Sequence, residues 1–175
     1  MSKTLSLEAR AAIENLNYEW ARLIDEDRIE AIGDLMTENG SYKVASRFNV
    51  DRNLPSAVID CRSRAQLLDR ITSMRVANIY ERQLYRHVVS GVQVLGPAEG
   101  VAGDAWEARA NYVIVRTMEH DGSMIVYSCG QYRDVVVFEG GQPRFARRHV
   151  VYDSRMIETV LVDRKSTRLN SSHVA

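Results

Sequence analysis

Apolar positions in the first part of the chain recur at the spacing of an α-helix. These positions, three or four residues apart, are Ile13, Leu16, Trp20, Leu23 and Ile24. Ser6 precedes them and is suited to cap a helix, so a long amphipathic helix is predicted to start there. The charged run Asp25–Arg28 then breaks the pattern, and its acidic part, Asp25–Asp27, is expected to form a solvated loop.

Shorter elements are predicted over the next fifty residues. A second helix is expected from Ile29, ending at Asn39-Gly40, a pair typical of helix ends. A short strand is predicted within Ser41–Val50, followed by a polar loop. Ser63 and Gln66 have the spacing of a capping box, so a third helix is predicted over residues 63–76.

The second half of the chain lacks helical periodicity and is rich in Val, Tyr, Ile and Thr. Four long strands are predicted, over Tyr85–Val94, Ala105–Met118, Met124–Phe138 and Arg144–Asp153. The last two breaks between them, His120-Asp121-Gly122 and Gly140-Gly141, are short enough for hairpin turns. The pattern therefore predicts an antiparallel meander.

Both faces of this sheet carry apolar residues, so both are expected to be covered. On the second strand, Trp106, Ala108 and Ala110 point to one face of the sheet. Val113 and Val115 point to the other face. The three helices can cover one face, and another subunit is the simplest cover for the other. We therefore predict an α+β fold, with the sheet curling around the helices, and oligomerisation.

Composition narrows the function classes. The 175 residues are 45% apolar, and 23 basic side chains formally cancel 23 acidic ones, which indicates one globular domain with no general attraction to nucleic acid or anionic membranes. No apolar run reaches the roughly 18 residues that a membrane span requires. The N-terminal residues gain charges early, so a cytoplasmic protein is expected.

The usual signatures of catalysis are missing from the sequence. Cys61 and Cys129 are far apart and have no neighbouring His, which argues against a Rieske iron–sulfur cluster, and the four histidines are scattered, which argues against zinc. No glycine-rich nucleotide loop or nucleophile elbow is present. We therefore expect no cofactor or metal site in this chain.

A polar set within the strands leaves two interpretations open. His87 or His149 could pair with Asp134 or Asp153 as a general acid/base. Alternatively, ion pairs at a subunit interface would involve Arg86, Arg133, Asp134, Arg147, Arg148 and Asp153. Alternation favours the interface, because it places Arg147 and His149 on one face and Arg148 on the other.

Aromatic side chains are expected to belong to the core. Tyr18, Trp20, Trp106 and Tyr112 could form a ligand box, but their helix or strand spacing is more typical of core positions.

Three strand segments carry a family resemblance. Arg86–Val92, Gly130–Asp134 and Arg147–Asp153, in this order and spacing, resemble the small (beta) subunit of aromatic-ring-hydroxylating dioxygenases over residues 7–162. The family strand usually reads Val-Ser-Asn where this chain has Val89-Ser90-Gly91, and a glycine in a strand indicates a bulge or a close neighbour.

The resemblance implies a fold and an assembly. The fold would be a cone of helices packed on a curved antiparallel sheet, similar to ketosteroid isomerase and nuclear transport factor 2. The small subunit would be non-catalytic and would assemble with a large subunit that carries a Rieske [2Fe–2S] cluster and a mononuclear iron, as three of each. The alternative on the same fold is a stand-alone isomerase or dehydratase using His87 and a strand carboxylate.

The last residues are expected to lie outside the native domain, which would span residues 1–162. Residues 163–175 lack periodicity and resemble the translation of a DNA-sequencing adapter, so they are predicted to pack on nothing. Without Asp163, Arg164, Lys165 and Arg168, 20 of the 23 basic and 22 of the 23 acidic side chains remain, and the net charge becomes about −2.

Overall fold

A computed structural model describes residues 4–77, 82–101 and 103–155 of the chain. Its helices are α1 (Leu7–Asp25), α2 (Arg47–Asp51) and α3 (Arg64–Ala77), with a 3-10 helix over Ile29–Leu35. Its strands are β1 (Met36–Ser46), β2 (Ile59–Cys61), β3 (Gln83–Pro97), β4 (Ala105–Met118), β5 (Met124–Glu139) and β6 (Gln142–Tyr152). The predicted tail, 163–175, and the end of the predicted domain lie outside the described residues.

Helix α1 confirms the first predicted element. The side chain of Ser6 accepts a hydrogen bond from the backbone N–H of Ala9 at 3.1 Å, so the helix is capped where the sequence indicated. The buried positions form one stripe, consisting of Ile13, Leu16, Asn17, Trp20, Ala21 and Leu23. This stripe packs on β3 and β6 and forms the centre of the core.

The segment after α1 differs from the prediction of a second α-helix. Only the 3-10 helix forms, and Asn39-Gly40 lies inside β1 instead of ending a helix. A Cβ atom at Gly40 would lie 2.8 Å from the backbone oxygen of Phe145 on β6. The pairing register also shifts between Met36 and Ser41. Gly40 therefore allows a close contact between two strands at a bulge. In the sequence, an Asn-Gly pair at such a bulge looks the same as an Asn-Gly pair at the end of a helix.

The third predicted helix is confirmed, whereas two short elements are additions. The Ser63 side chain accepts a hydrogen bond from the Gln66 backbone N–H at 3.3 Å, as its spacing predicted. The additions are α2 and β2, which lie where the end of a strand and a loop were expected. The Ser46 side chain caps α2 by accepting from Asn49 N–H at 3.2 Å.

The six strands form one sheet in the order β2-β1-β6-β5-β4-β3. Strands β3 to β6 are the predicted antiparallel meander. Strand β1, for which no pairing was predicted, lies parallel to β6, so the sheet as a whole is mixed. The chain crosses through α3 from one edge of the sheet to the other, and the meander then brings β6 back beside β1 in the same direction.

The two faces of the sheet have different surroundings. The inner face packs against α1 and α3, with Trp106, Val136 and Phe145 buried beneath them. Over β3, β4 and β5 the outer face carries apolar side chains that remain exposed, among them Leu84, Val88 and Val126. The predicted α+β architecture is confirmed, while the predicted oligomerisation stays a prediction.

Candidate functional site

Strand alternation divides the predicted polar residues between the two faces. On β6, Arg148 is buried, Arg147 is exposed and His149 is half-buried. On β5, Asp134 is buried and Arg133 is exposed. The expectation that this set straddles the sheet is confirmed, so it forms two separate clusters instead of one site.

The inner cluster is built around Arg148 and Asp134, whose side chains are 0% and 1% exposed. One guanidinium nitrogen of Arg148, Nη1, donates to Asp134 Oδ2 at 3.3 Å and to Asn17 Oδ1 on α1 at 3.1 Å. The guanidinium carbon also lies between 3.9 and 4.8 Å from the ring centres of Tyr132, Phe145 and Trp20. The cation is thus held by one carboxylate, one amide and three aromatic faces.

The burial of this pair corrects two of the predicted interface residues. Arg148 contacts α1 through Asn17, and Asp134 pairs with Arg148 on the same covered face, so neither side chain can reach a partner on the outer face. Burial raises the pKa of Asp134 to about 6, because desolvation outweighs the attraction of Arg148 and Arg147. Asp134 Oδ1 and the Nε and Nη2 atoms of Arg148 have no hydrogen-bond partner in the described part of the chain.

His87 lies on the same inner face but pairs with neither predicted carboxylate. Its Nδ1 atom is 2.6 Å from Oδ1 of Asp25, and its backbone N–H donates to Asp25 Oδ2 at 2.9 Å. The two side chains are only 4% and 6% exposed. Asp134 instead pairs with Arg148, and Asp153 forms an ion pair with Arg47 at 3.2 Å. The predicted partners of His87 are therefore wrong.

Asp25 is the site residue that the sequence interpretation missed. It is the last residue of α1, not part of a solvated loop, and it ties the end of this helix to β3. It follows the buried Ala21 by four residues, which places both on the same helix face. That spacing was the available signal, but the adjacent charges of Glu26 and Asp27 concealed it.

The predicted aromatic core is confirmed at three of four positions. Trp20, Trp106 and Tyr112 are buried, whereas Tyr18 is 40% exposed and its hydroxyl donates to Glu14. The rings of Tyr112 and Tyr132 stack with centres 4.6 Å apart. Burial is the main reason why the pKa of the Tyr112 hydroxyl is raised well above its usual range. These tyrosines fill the core and stay protonated at neutral pH.

The outer cluster is a line of basic side chains that crosses four strands. Arg109 on β4 is opposite Arg133 on β5, which is opposite His149 on β6, which is opposite Lys43 on β1. We call these four residues the basic row. Directly opposite residues point to the same face of a sheet, and the exposed Arg147 lies beside the row, two residues before His149.

A second outer feature lies towards the free edge of the sheet. We call Leu84, Val88, Val113 and Val126 the outer apolar patch. Their exposed fractions are 55%, 54%, 37% and 66%. Arg86 is exposed on the same face, opposite Val115. A face that combines exposed apolar and basic side chains is suited to contact another protein.

The cysteines and the potential metal ligands are the remaining groups to be located among the described residues. Cys61 is buried and Cys129 is exposed, and both are free thiols. Within residues 4–77, 82–101 and 103–155, no three His, Cys, Asp or Glu side chains come together as potential metal ligands. In the same part of the chain, no helix has both the length and the apolar character needed to cross a membrane.

Comparisons with known proteins identify relatives over most of the chain. Residues 5–149 match the model of the SnoaL-like domain. The chain is 34% identical to the small subunit of anthranilate 1,2-dioxygenase from Burkholderia cepacia over 138 residues, or 79% of this chain and 83% of the relative. It is 33% identical over 151 residues to beta subunit 2 of the terminal oxygenase component of terephthalate 1,2-dioxygenase from a Comamonas species, covering 85% and 94%.

A solved structure extends the similarity to the fold. It is a protein from Novosphingobium aromaticivorans assigned to the beta subunits of aromatic-ring-hydroxylating dioxygenases, with a TM-score of 0.75 and 33% identity. The match covers 87% of this chain and 94% of that one. Sequence and fold agree, and the chain therefore belongs to the SnoaL-like family and, within it, to the small subunits of aromatic-ring-hydroxylating dioxygenases.

Proposed function

We propose that this small subunit has no active site of its own and that it assembles with and stabilises a catalytic large subunit. That partner would carry the Rieske [2Fe–2S] cluster and the mononuclear iron, and the complex would contain three copies of each chain. The complex would act in the catabolism of aromatic compounds, in the cytoplasm expected from the sequence.

The uncovered outer face of the sheet supports the proposal independently of family membership. The outer face of the sheet, with the outer apolar patch and the basic row, is left open by the helices of this chain. Exposed apolar side chains side by side on a regular surface are typical of protein interfaces. Of the predicted interface residues, Arg86, Arg133 and Arg147 lie exposed on this face, and we propose that they contact partner subunits.

We also propose Asp153 for the interface. It is exposed and already paired with Arg47, so a partner would have to share or replace that ion pair. The inner polar residues have a different role in this proposal. The His87–Asp25 pair joins α1 to β3, and the Arg148–Asp134 pair joins β5 and β6 to α1 through Asn17. We assign both pairs to holding the helix on the sheet.

Co-expression tests the proposal. The small subunit alone should be colourless and free of iron, whereas co-expression with the large subunit encoded beside it should give a stable hetero-oligomer with the absorption of an iron–sulfur protein. A small subunit that catalyses dehydration or isomerisation alone, or that never co-purifies with that large subunit, would refute the assignment.

The names of the relatives support a substrate class for the complex. The relatives described above are subunits of dioxygenases named for anthranilate and terephthalate, which are both aromatic carboxylates. We propose an aromatic acid as the substrate of the assembled enzyme. Oxygen uptake by the purified complex, measured with aromatic acids and with the matching unsubstituted hydrocarbons, tests this choice, because a preference for the hydrocarbons would contradict it.

A further inference from the structure

The basic row places like charges side by side, an arrangement that is not expected to favour the folding of an isolated chain. Arg109 and Arg133 are directly opposite each other on adjacent antiparallel strands, and like charges in that position destabilise a sheet. Adjacent strands are only about 4.8 Å apart, and His149 and Lys43 continue the row on the next two strands. Folding alone would favour carboxylates or neutral residues at some of these positions.

The described part of the chain offsets these charges only at one end of the row, where Asp60 on β2 is directly opposite Lys43. Within the described strands, no carboxylate is directly opposite Arg109, Arg133 or Arg147. None of the ion pairs in the described part of the chain involves Lys43, Arg133 or Arg147. Arg109 Nε donates at 2.9 Å to Oε1 of Gln93, which is a neutral partner. The guanidinium and ammonium groups are therefore available to carboxylates from another molecule, and arginine in particular can bind a carboxylate through two hydrogen bonds.

His149 lies in the middle of the row, and the positive charges around it affect its protonation. Burial and then the charges of Lys43, Arg133 and Arg147, on β1, β5 and β6, lower the pKa of its imidazole, and Asp60 on β2 opposes them. The Nε2 atom is buried and has no hydrogen-bond partner in the residues that the structure describes. The three cationic side chains are therefore close enough to His149 to disfavour its charged form.

Charge also distinguishes between the partners that could cover the row. Two copies of this chain that met through this face on a two-fold axis would place one basic row against the other, because such an interface uses the same surface twice, whereas sister copies around a three-fold axis would have to bring a different, acidic surface to the row. Repulsion between like charges across an interface costs several kcal/mol. An acidic surface on a different chain meets the requirement directly.

We propose that the basic row, together with Arg147, binds a cluster of carboxylates on the surface of the catalytic large subunit, an inference that rests on the proposed assembly with that subunit. Contacts between sister small subunits are then made by other surfaces. The row gives the association its ionic-strength dependence and its orientation, because complementary charges steer and align two proteins before their apolar surfaces meet.

Charge reversal tests the row with a matched control. Arg133→Glu changes an exposed arginine of the row, and Arg62→Glu makes the same change at an exposed arginine before α3 whose side chain forms no ion pair among the described residues. Affinity for the cognate large subunit is measured at low and high salt, and sedimentation of each small subunit alone gives its own oligomeric state. Circular dichroism checks folding, and Arg147→Glu replaces Arg133→Glu if the latter does not fold.

Arg133→Glu is expected to lower the affinity for the large subunit by roughly thirtyfold or more. It should also make the affinity less dependent on salt and leave self-association unchanged. Arg62→Glu should have no effect on the affinity. Unchanged affinity would overturn the inference while leaving the proposed function intact. A variant whose self-association changes while its affinity for the large subunit does not would assign the row to a sister copy and also overturn it. Failure of the unmodified chain to bind the large subunit would refute the proposed function itself.

Discussion

The buried Arg148–Asp134 pair leads to a prediction whose size can be worked out from the structure. Arg148→Met keeps a long apolar side chain among the three aromatic rings but removes the cation. Asp134, which is 1% exposed, then remains as a buried carboxylate without its positive partner. Breaking a buried ion pair in this way costs about 3 to 5 kcal/mol.

That loss is large compared with a total stability of about 5 to 15 kcal/mol for a typical domain. With an m-value of about 2 kcal/mol per M in urea, the unfolding midpoint should fall by roughly 2 M. The double variant Arg148→Met/Asp134→Leu removes both charges and should recover most of the loss, since apolar replacement of a complete buried pair is often neutral or stabilising.

The loss should also depend on pH in a definite direction. Burial raises the pKa of Asp134 to about 6, above the value of about 3.9 for an unfolded chain. The folded state therefore binds this proton more tightly, and the carboxylate's contribution to stability falls as the pH rises through this interval. Removing Arg148 raises the pKa further, so the variant should lose more stability at pH 8 than at pH 5.

Urea unfolding of the isolated small subunit, followed by far-UV circular dichroism at both pH values, measures each of these quantities. The double variant controls for lost packing around the rings, because it lacks Arg148 as well. A single variant as stable as the unmodified chain at pH 8, or a double variant no better than the single one, would show that the pair does not carry the buried charge as described.

Three further changes test other parts of the fold. Asp25→Ala leaves the His87 ring without its carboxylate and should cost about 1 to 3 kcal/mol, measured by thermal unfolding; an unchanged melting temperature would show that the pair does not hold α1. Gly130→Ala would make a Cβ atom clash with the backbone oxygen of Val151, so a loss of about 3 kcal/mol or more is expected. A normal yield of stable protein would contradict this strand geometry. Ser6→Ala removes the cap of α1 and should cost about 1 kcal/mol, seen in calorimetry as a melting temperature lower by about 2 to 4 °C; no shift would mean that the cap contributes nothing.

The candidate site shows where local patterns stop being informative. Alternation along β6 correctly separated Arg148 from Arg147 and His149, because neighbouring side chains on a strand point to opposite faces. It could not tell which face would be covered by helices, so Arg148 and Asp134 were expected at a subunit interface although they lie in the core. The cover depends on how α1 docks on the sheet, which involves residues more than a hundred positions away in sequence.

Long-range pairing explains the other two differences. His87 binds Asp25, 62 residues earlier in the chain, and no spacing rule connects a helix end to a distant strand. Asn39-Gly40 carries the local signal of a helix end, but Gly40 serves the close approach of β1 to β6. That parallel pairing joins two strands that are separated along the chain by the first three strands of the meander.

The sequence by itself determined the secondary-structure elements that depend on residues close together in the chain. The cap and stripe of α1, helix α3, the four long strands and their hairpin turns all follow from interactions within a few residues, and the order of short motifs was enough to indicate the family. Tertiary structure alone decided which polar groups are buried together and which basic side chains share the outer row. Burial and charge proximity depend on strand register and helix docking, and both arise from contacts between residues far apart in the chain.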